Sequence, residues 1–509
     1  MAIPGILLNI HSRMLIFITF FLVLASGIPM NVFQHVEIRS LNKPALTLSL
    51  ENNAIGANAT SQGWTSSPNN RGTLDIIWSC ALTVFLCGWS TICVNIPPLG
   101  TGRLQNLWRK ILVFLEALAG PEFIVHTALG QYVSARLSVK EFAEAGLSGW
   151  TTRHGFFADM GGFVLDPPDF VPFPLTVSQL HYLVVNGYVD YDEVLLTDIE
   201  IEDKNKFDTL TRILTMVQLS WFVVNLVARV ALNMAITTLE LSTAAFIFCT
   251  LFTFFCWRHK PQDVSCPIVI KPKVPLADIL VRAGPVASRP YSYTPLDFAR
   301  RRPHIFEFIW RYCFNIPNSL KVHFHPTERP VTKIWDDQFF DLPPWANVLL
   351  ALAQFGFAGI HFAAWNFYFP AHEERFLWHL SSIYIPCSMV CTWIVLHWAF
   401  EIWPRISDQL ENPNTATKSS VFRASIYSRW NSSRPHHLLR RISQRLCNNS
   451  PNRDPDETVP LLAVVVLVPL GILYLFARFY VILEDFYNLR DLPASAYNSV
   501  DWGTIIPHF

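Results

Sequence analysis

The chain predicts an all-α membrane protein, with about six transmembrane helices, one re-entrant or interfacial helix, and polar loop inserts between them. Three observations carry this. Of 509 residues, 51% are hydrophobic and only 15% charged, whereas a soluble domain averages about 25% charged. Several apolar stretches reach the ~20 residues that a bilayer crossing needs at 1.5 Å rise per residue. And although net charge is zero, basic and acidic residues are sorted into different segments, as expected where Lys and Arg stay on the cytosolic side. With no overall basic balance, nucleic acid is not an expected partner; the lipid bilayer is.

Residues 1–27 place His11 and Arg13 before the apolar run Met14–Ala25 and the small-residue exit Ala25-Ser26-Gly27. That is the pattern of a secretory signal peptide or of an uncleaved anchor. Residues 30–74 read as a lumenal segment with the sequon Asn58-Ala59-Thr60, usable only on that side. Residues 76–133 hold the first span, 76–96, and a kinked helix. Arg103, Arg109 and Lys110 follow the span closely, which sets residue 100 inside. Residues 111–133 are apolar but contain Glu116, Gly120-Pro121, Glu122 and His126. A mid-membrane carboxylate costs about 2.5–3.5 kcal/mol, and proline adds a kink. A re-entrant or interface-lying helix fits better than a full span.

Residues 134–209 form an acidic insert with 13 Asp/Glu against 5 Lys/Arg. Its run Asp190, Asp192, Glu193, Asp198, Glu200, Glu202, Asp203 lacks the spacing and glycine of a calcium loop and reads as a solvated face. Thr176-Val177-Ser178-Gln179 opens a short helix that Gly187 ends. Residues 210–257 form a membrane hairpin, roughly Thr211–Leu232 and Thr238–Trp257, whose short joint forces the helices antiparallel. Thr237 to Glu240 fits a capping box. The hairpin also brings Arg229 to the depth of Glu240, a candidate structural ion pair. The basic cytosolic loop 258–344 carries 13 Lys/Arg and 8 Asp/Glu, and its Arg300-Arg301-Arg302 precedes an aromatic amphipathic stretch suited to an anionic leaflet. A second hairpin, 345–400, is followed by a second basic loop, 401–458, a last span, 459–482, and a tail, 483–509. Seven of the ten cysteines fall inside apolar helices, so neither a disulfide framework nor a zinc pair is expected.

Candidate chemistry is sparse. Asp336, Asp337 and Asp341 stand just before the second hairpin, where closely spaced carboxylates could hold Mg²⁺ against a diphosphate. The spacing departs from the terpene-synthase motif it looks like, since Asp341 comes one position late. Mg²⁺ is the one cofactor implied, and only if that motif functions. His361 and Asn366 are polar groups at membrane depth, where polarity often marks a site. His361, His379 and His397 are 18 apart on antiparallel helices and cannot share a metal. No Walker A, GxSxG or HExxH pattern occurs, which argues against nucleotide, serine-hydrolase and zinc-protease chemistry.

Several strings together carry a resemblance: Arg71 to Cys80 (RGTLDIIWSC), Trp150 to Phe163 (WTTRHGFFADMGGF), Thr237 to Leu241 (TTLEL), Trp257 to Val264 (WRHKPQDV), His361 to Pro370 (HFAAWNFYFP) and the ending Ile506 to Phe509. They resemble a family of fungal multi-pass membrane proteins without established activity. The resemblance implies a membrane protein with an N-terminal signal or anchor and brings no catalytic residues.

Two functional classes stay open. One is a non-catalytic scaffold, sensor or transport-related protein of the endoplasmic reticulum, vacuolar or plasma membrane. The other is a membrane enzyme acting on a lipophilic, terpenoid-like intermediate of secondary metabolism. Protein partners are not legible in the sequence. If the threading holds, Asn58 carries a glycan while Asn431 and Asn448 carry none. Glycosidase treatment should shift the intact protein on a gel and leave the Asn58→Gln variant unshifted.

Overall fold

The computed structural model describes residues 62–66, 71–98, 100–204, 209–319, 328–403, 446–450 and 457–502. The proposed signal or anchor at 1–27, the sequons at Asn58 and Asn431, residues 404–445 of the second basic loop and the last residues of the tail lie outside them. Hydrocarbon offers backbone amides no partner, so only helices that close their own hydrogen bonds can cross it. Among the described residues, six helices are long and apolar enough to do so: α1 (Thr73–Thr91), α8 (Thr209–Ala231), α9 (Thr238–Trp257), α12 (Pro344–Phe362), α13 (His372–His397) and α14 (Leu461–Tyr487). Large apolar side chains on their outer faces are exposed, among them Trp78, Val227, Phe376 and Phe479. That is the surface a bilayer would cover.

Contacts between loops sort the helix ends. At the far end, Arg71 ahead of α1 meets Glu240 in the first turn of α9 at 2.6 Å. Tyr368 after α12 reaches Asp491 after α14, and Arg490 pairs with Glu374 in the first turn of α13. At the basic end, Lys260 after α9 donates to the Cys93 carbonyl after α1. There too the Asn95 amide, also after α1, donates to Asp336 ahead of α12. The six helices therefore alternate in direction.

Two further helices, α2 (Arg103–Ala119) and α3 (Pro121–Glu144), meet at an angle of 113°. Proline at the first position of α3 supplies no N–H to continue α2, and Gly120 is the cap of both. The pair starts where α1 leaves off, at the basic end. It also finishes there, because Arg301 of the loop before α12 grips Glu141 at 3.0 and 2.8 Å. Its tip reaches the middle of the bundle, where Ala119 and Glu122 meet Arg478 and Tyr474 of α14. The geometry is that of a re-entrant hairpin.

Helix α9 sits at the centre: 67% of it is buried, against 22% of α8. It packs on α1, α3, α12 and α14. Its start is fixed by the capping box, with Thr237 Oγ1 accepting from the Glu240 amide at 3.2 Å and Glu240 accepting from the Thr237 amide at 3.0 Å.

The acidic insert is not a loose loop. With residues 258–299 it builds a capping unit at the basic end, with a core of its own. Helices α4 (Thr152–Asp159) and α5 (Val177–Val185), the brief turns α6 (Tyr191–Val194) and α7 (Asp198–Lys204), and α10 (Leu276–Ala283) surround a three-stranded sheet. Strand β1 (Phe163–Leu165) is central, antiparallel to β2 (Phe173–Leu175) and parallel to β3 (Ile268–Ile270). The inward Phe163, Leu165, Phe173 and Leu175 are wholly buried. The string from Trp150 to Phe163 does the docking. Trp150 Nε1 donates to Ser138 Oγ of α3 at 3.1 Å, and Asp159 accepts from Ser134 Oγ and from the Val177 amide. Gly155 lies so close to α3 that a Cβ would come within 2.9 Å of the Ala135 Cα.

The amphipathic stretch after Arg302 becomes α11 (Ile305–Ser319). It packs against α13 and α14 with Ile309 and Tyr312 buried, so protein takes up much of its apolar side. Gly155→Val should strip the capping unit from α3, lowering stability by about 1–3 kcal/mol. Thermal melting of the detergent-purified protein reads this directly.

Candidate functional site

Charged groups inside an apolar bundle are costly unless they meet partners, so the places where they gather locate the chemistry. In this molecule they form a column from the basic end to the far end, between α3, α9, α12 and α14. The column begins at Lys260, which is 2% exposed. Its Nζ donates to the Cys93 carbonyl at 2.8 Å, to Gln131 Oε1 at 2.8 Å and to Asn95 Oδ1 at 3.2 Å. Burial pushes this amine down to about 8. Beside it, Asp336 accepts from the Asn95 amide at 2.5 Å and pairs with Lys333.

One level deeper, the His126 and His304 rings meet edge to face, with centroids 4.8 Å apart. His304 precedes α11, and burial pulls its pKa down to about 4. A turn before His126 on α3, Glu122 is completely buried. One carboxylate oxygen accepts from the Tyr474 hydroxyl; the other has no partner. As a first-turn residue it also faces the positive end of the α3 dipole.

Arg478 lies one turn further along α14. Its Nε donates to the Ala119 carbonyl at 3.1 Å, one of the helix-end carbonyls the break leaves without an intrahelical partner. The guanidinium sits over the Phe357 ring, 4.7 Å from its centroid, and Nη1 is 3.5 Å from His361 Nε2. His361 Nδ1 is 3.0 Å from the Phe357 carbonyl. A carbonyl only accepts, so the ring proton sits on Nδ1 and the Nε2 lone pair turns to the arginine. Arg478 Nη2 has no partner. Beyond it, Asp485 is buried on the next turns of α14, facing Ser242 and Thr238 of α9. Glu484 accepts from Tyr480 at 3.2 Å and closes the column toward the far end.

Of the residues singled out from the sequence as candidate chemistry, His361 lies in the column beside Arg478, and the others fall elsewhere or only at its mouth. Asp336, Asp337 and Asp341 share a loop but face different donors: the Asn95 amide and Lys333, Trp310 Nε1 at 2.8 Å, and the Leu342 amide at 3.0 Å. His361 belongs to the column near the far end. Asn366, in the single turn after α12, is exposed there. The loop aspartates and the pair His361 and Asn366 thus stand at opposite ends of the bundle. Among the described residues, no group of three or more His, Cys, Asp or Glu is placed to hold a metal ion. Arg229 and Glu240 do approach, at 3.9 Å, but Arg71 is the closer cation at 2.6 Å. Arg229 spends its donors on the carbonyls of Ala235, Ala496 and Asn498, each at 2.8 Å.

Sequence reading passed over Arg71, Arg478 and Asp485. The signal for Arg478 was present, since a lone arginine inside a long apolar run marks a functional position by default.

The model for a Family of unknown function (DUF8562) matches residues 45–281 and 346–433. That covers α1 through most of α10, then α12 and α13, and leaves α14 with Arg478 outside. No curated protein and no solved structure matches the chain.

The His304 site sets a pH dependence. Its folded pKa lies below the ordinary value of 6.5, so between about pH 6.5 and 4 the unfolded chain binds more protons. Stability is then lost as pH falls through that window, by up to about 3 kcal/mol. His304→Gln should flatten this part of the melting-temperature profile between pH 7 and 5.

Proposed function

Because the chain belongs to the Family of unknown function (DUF8562), which supplies no activity, we propose a function from the column itself: a multi-pass membrane protein that moves protons across the bilayer in a transport-related role. One observation carries the reading. Glu122, fully buried at the tip of a re-entrant helix, accepts from the Tyr474 hydroxyl with one carboxylate oxygen and keeps the other without a protein partner, within electrostatic reach of Arg478. Broken helices whose ends meet inside a bundle recur where transporters bind ions, because the freed backbone groups and half-helix dipoles are available there.

The proposed sequence of carriers uses groups that can gain and lose a proton. Protons enter by His304 and His126, pass to Glu122, and leave by Asp485 and Glu484 at the far end. Arg478, a fixed cation, keeps Glu122 able to release its proton. The bundle's basic end carries the Lys/Arg-rich segments, and we place it on the cytosolic side by the charge rule. The far end then faces the lumen or the cell exterior. The enzyme reading is less well supported, because the loop aspartates it would use are each taken up by separate protein donors.

The test is proton flux in liposomes. Purified protein reconstituted with a pH-reporting dye should acidify or alkalinise the lumen when a potassium-diffusion potential is imposed. Glu122→Gln should reduce the rate by roughly tenfold or more while keeping its melting temperature within a few degrees of the parent protein. Flux no greater than that of empty liposomes, or undiminished flux in Glu122→Gln, would sink the proposal.

A further inference from the structure

A second site lies outside the column. At the basic end, where α3, α5 and the loop before α12 converge, there is a groove of about 1070 Å³ whose lining reaches Trp345 at the start of the α12 span. Arg136, Lys140, Arg300, Arg301 and Arg302 line it, against the carboxylates of Glu141 and Asp341. Five cations therefore face two anions. Arg301 is committed to Glu141 through two hydrogen bonds, which braces the floor of the groove. Arg136, Lys140 and Arg302 are exposed, and Arg300 is held over the Tyr293 ring, 3.9 Å from its centroid.

The groove is also polar where it is buried. Ser178 Oγ and Arg301 Nε lack protein partners although both are shielded from solvent. These are donors without acceptors, as an anion-binding site requires. The outer rim is the reverse. Leu137, Val185 and Trp345 are exposed apolar side chains. Trp345 stands in the first turn of α12, where the span begins, and tryptophan at that level favours the headgroup layer.

An occupant must satisfy both halves: negative oxygens for the arginines and a hydrocarbon part for the rim. We propose that this groove seats the phosphate-bearing headgroup of an anionic membrane lipid, with its acyl chains running beside Trp345. A free anion would use the arginines and leave the rim unexplained. Juxtamembrane basic clusters gain roughly fivefold in affinity per Lys or Arg near an anionic leaflet. The groove concentrates that effect at one place on the protein. The inference does not rest on proton movement through the column, and either can fail alone.

The experiment compares full-length protein in nanodiscs of pure phosphatidylcholine with nanodiscs that also contain a phosphatidylinositol phosphate. The wild-type melting temperature should rise with the anionic lipid, and native mass spectrometry should show that lipid retained. The triple variant Arg136→Gln, Arg300→Gln, Arg302→Gln should lose retention by about fivefold per residue removed. Because three changes could disturb folding, Lys140→Gln is tested separately and should lose about fivefold alone. Two controls separate the sources of phosphate. Inorganic phosphate and a water-soluble inositol phosphate should stabilise far less than the lipid at equal phosphate concentration. Equal stabilisation by the soluble anions would overturn the lipid assignment in favour of a free-anion site. Equal retention of phosphatidylcholine and the anionic lipid by wild type, or unchanged retention in a folded triple variant or in Lys140→Gln, would overturn it outright.

Discussion

The bundle is organised by a charge that hydrocarbon will not accept. Arg478 stands inside the last long apolar helix, and its guanidinium has to find partners there or be excluded from the membrane. It finds them in the Ala119 carbonyl, the Phe357 ring and His361, with the carboxylates of Glu122 and Asp485 close enough to act on it. None of these could be in place without the break at Gly120. A continuous helix would keep the Ala119 carbonyl in its own ladder and carry Glu122 away from Tyr474. The charge on α14 and the kink between α2 and α3 thus explain one another.

The same logic explains why the basic end is built as it is. A re-entrant pair must be held by something other than lipid, since it does not span. The capping unit supplies that hold. Gly155 and Ala135 let α4 lie directly on α3, Trp150 and Asp159 add hydrogen bonds to Ser138 and Ser134, and Arg301 clamps Glu141. Lys260 ties the end of α9 to the segment after α1 and to Gln131 of α3. The residues around Trp150 and Trp257 make these ties. They fix the hairpin's position in the bundle.

Much of the architecture was legible in the sequence because bilayer physics leaves few options. Twenty-residue apolar runs, the capping box at Thr237 and the carboxylates beside Gly120-Pro121 predict the six long helices and the bent pair, and each has a local cause. What was not legible depended on contacts distant in the chain. The acidic insert gives no sign that Ile268–Ile270, about a hundred residues later, will complete its sheet. Arg71 and Glu240 are 169 residues apart, so the sequence points only to Arg229, which lies 3.9 Å from Glu240, and not to the closer Arg71. The loop aspartates drew attention by their spacing, but spacing says nothing about Asn95 or Trp310 waiting to occupy them. The column itself was half visible: Glu122, His126 and His361 stood out as misplaced polarity, while Arg478 was absorbed into an otherwise convincing span.

The return of α2 and α3 to the end they started from has a consequence for biogenesis. A nascent segment that comes back to the face it left adds nothing to the count of crossings, so the orientation of α8 and every later helix is the same whether or not the hairpin has yet settled. The insertion machinery can release the long helices in their final directions first. The hairpin can then slide between them once α14, which follows the other five long helices in the chain, delivers its arginine. Assembly of the interior is in this way postponed until α14 has emerged, without placing the threading at risk.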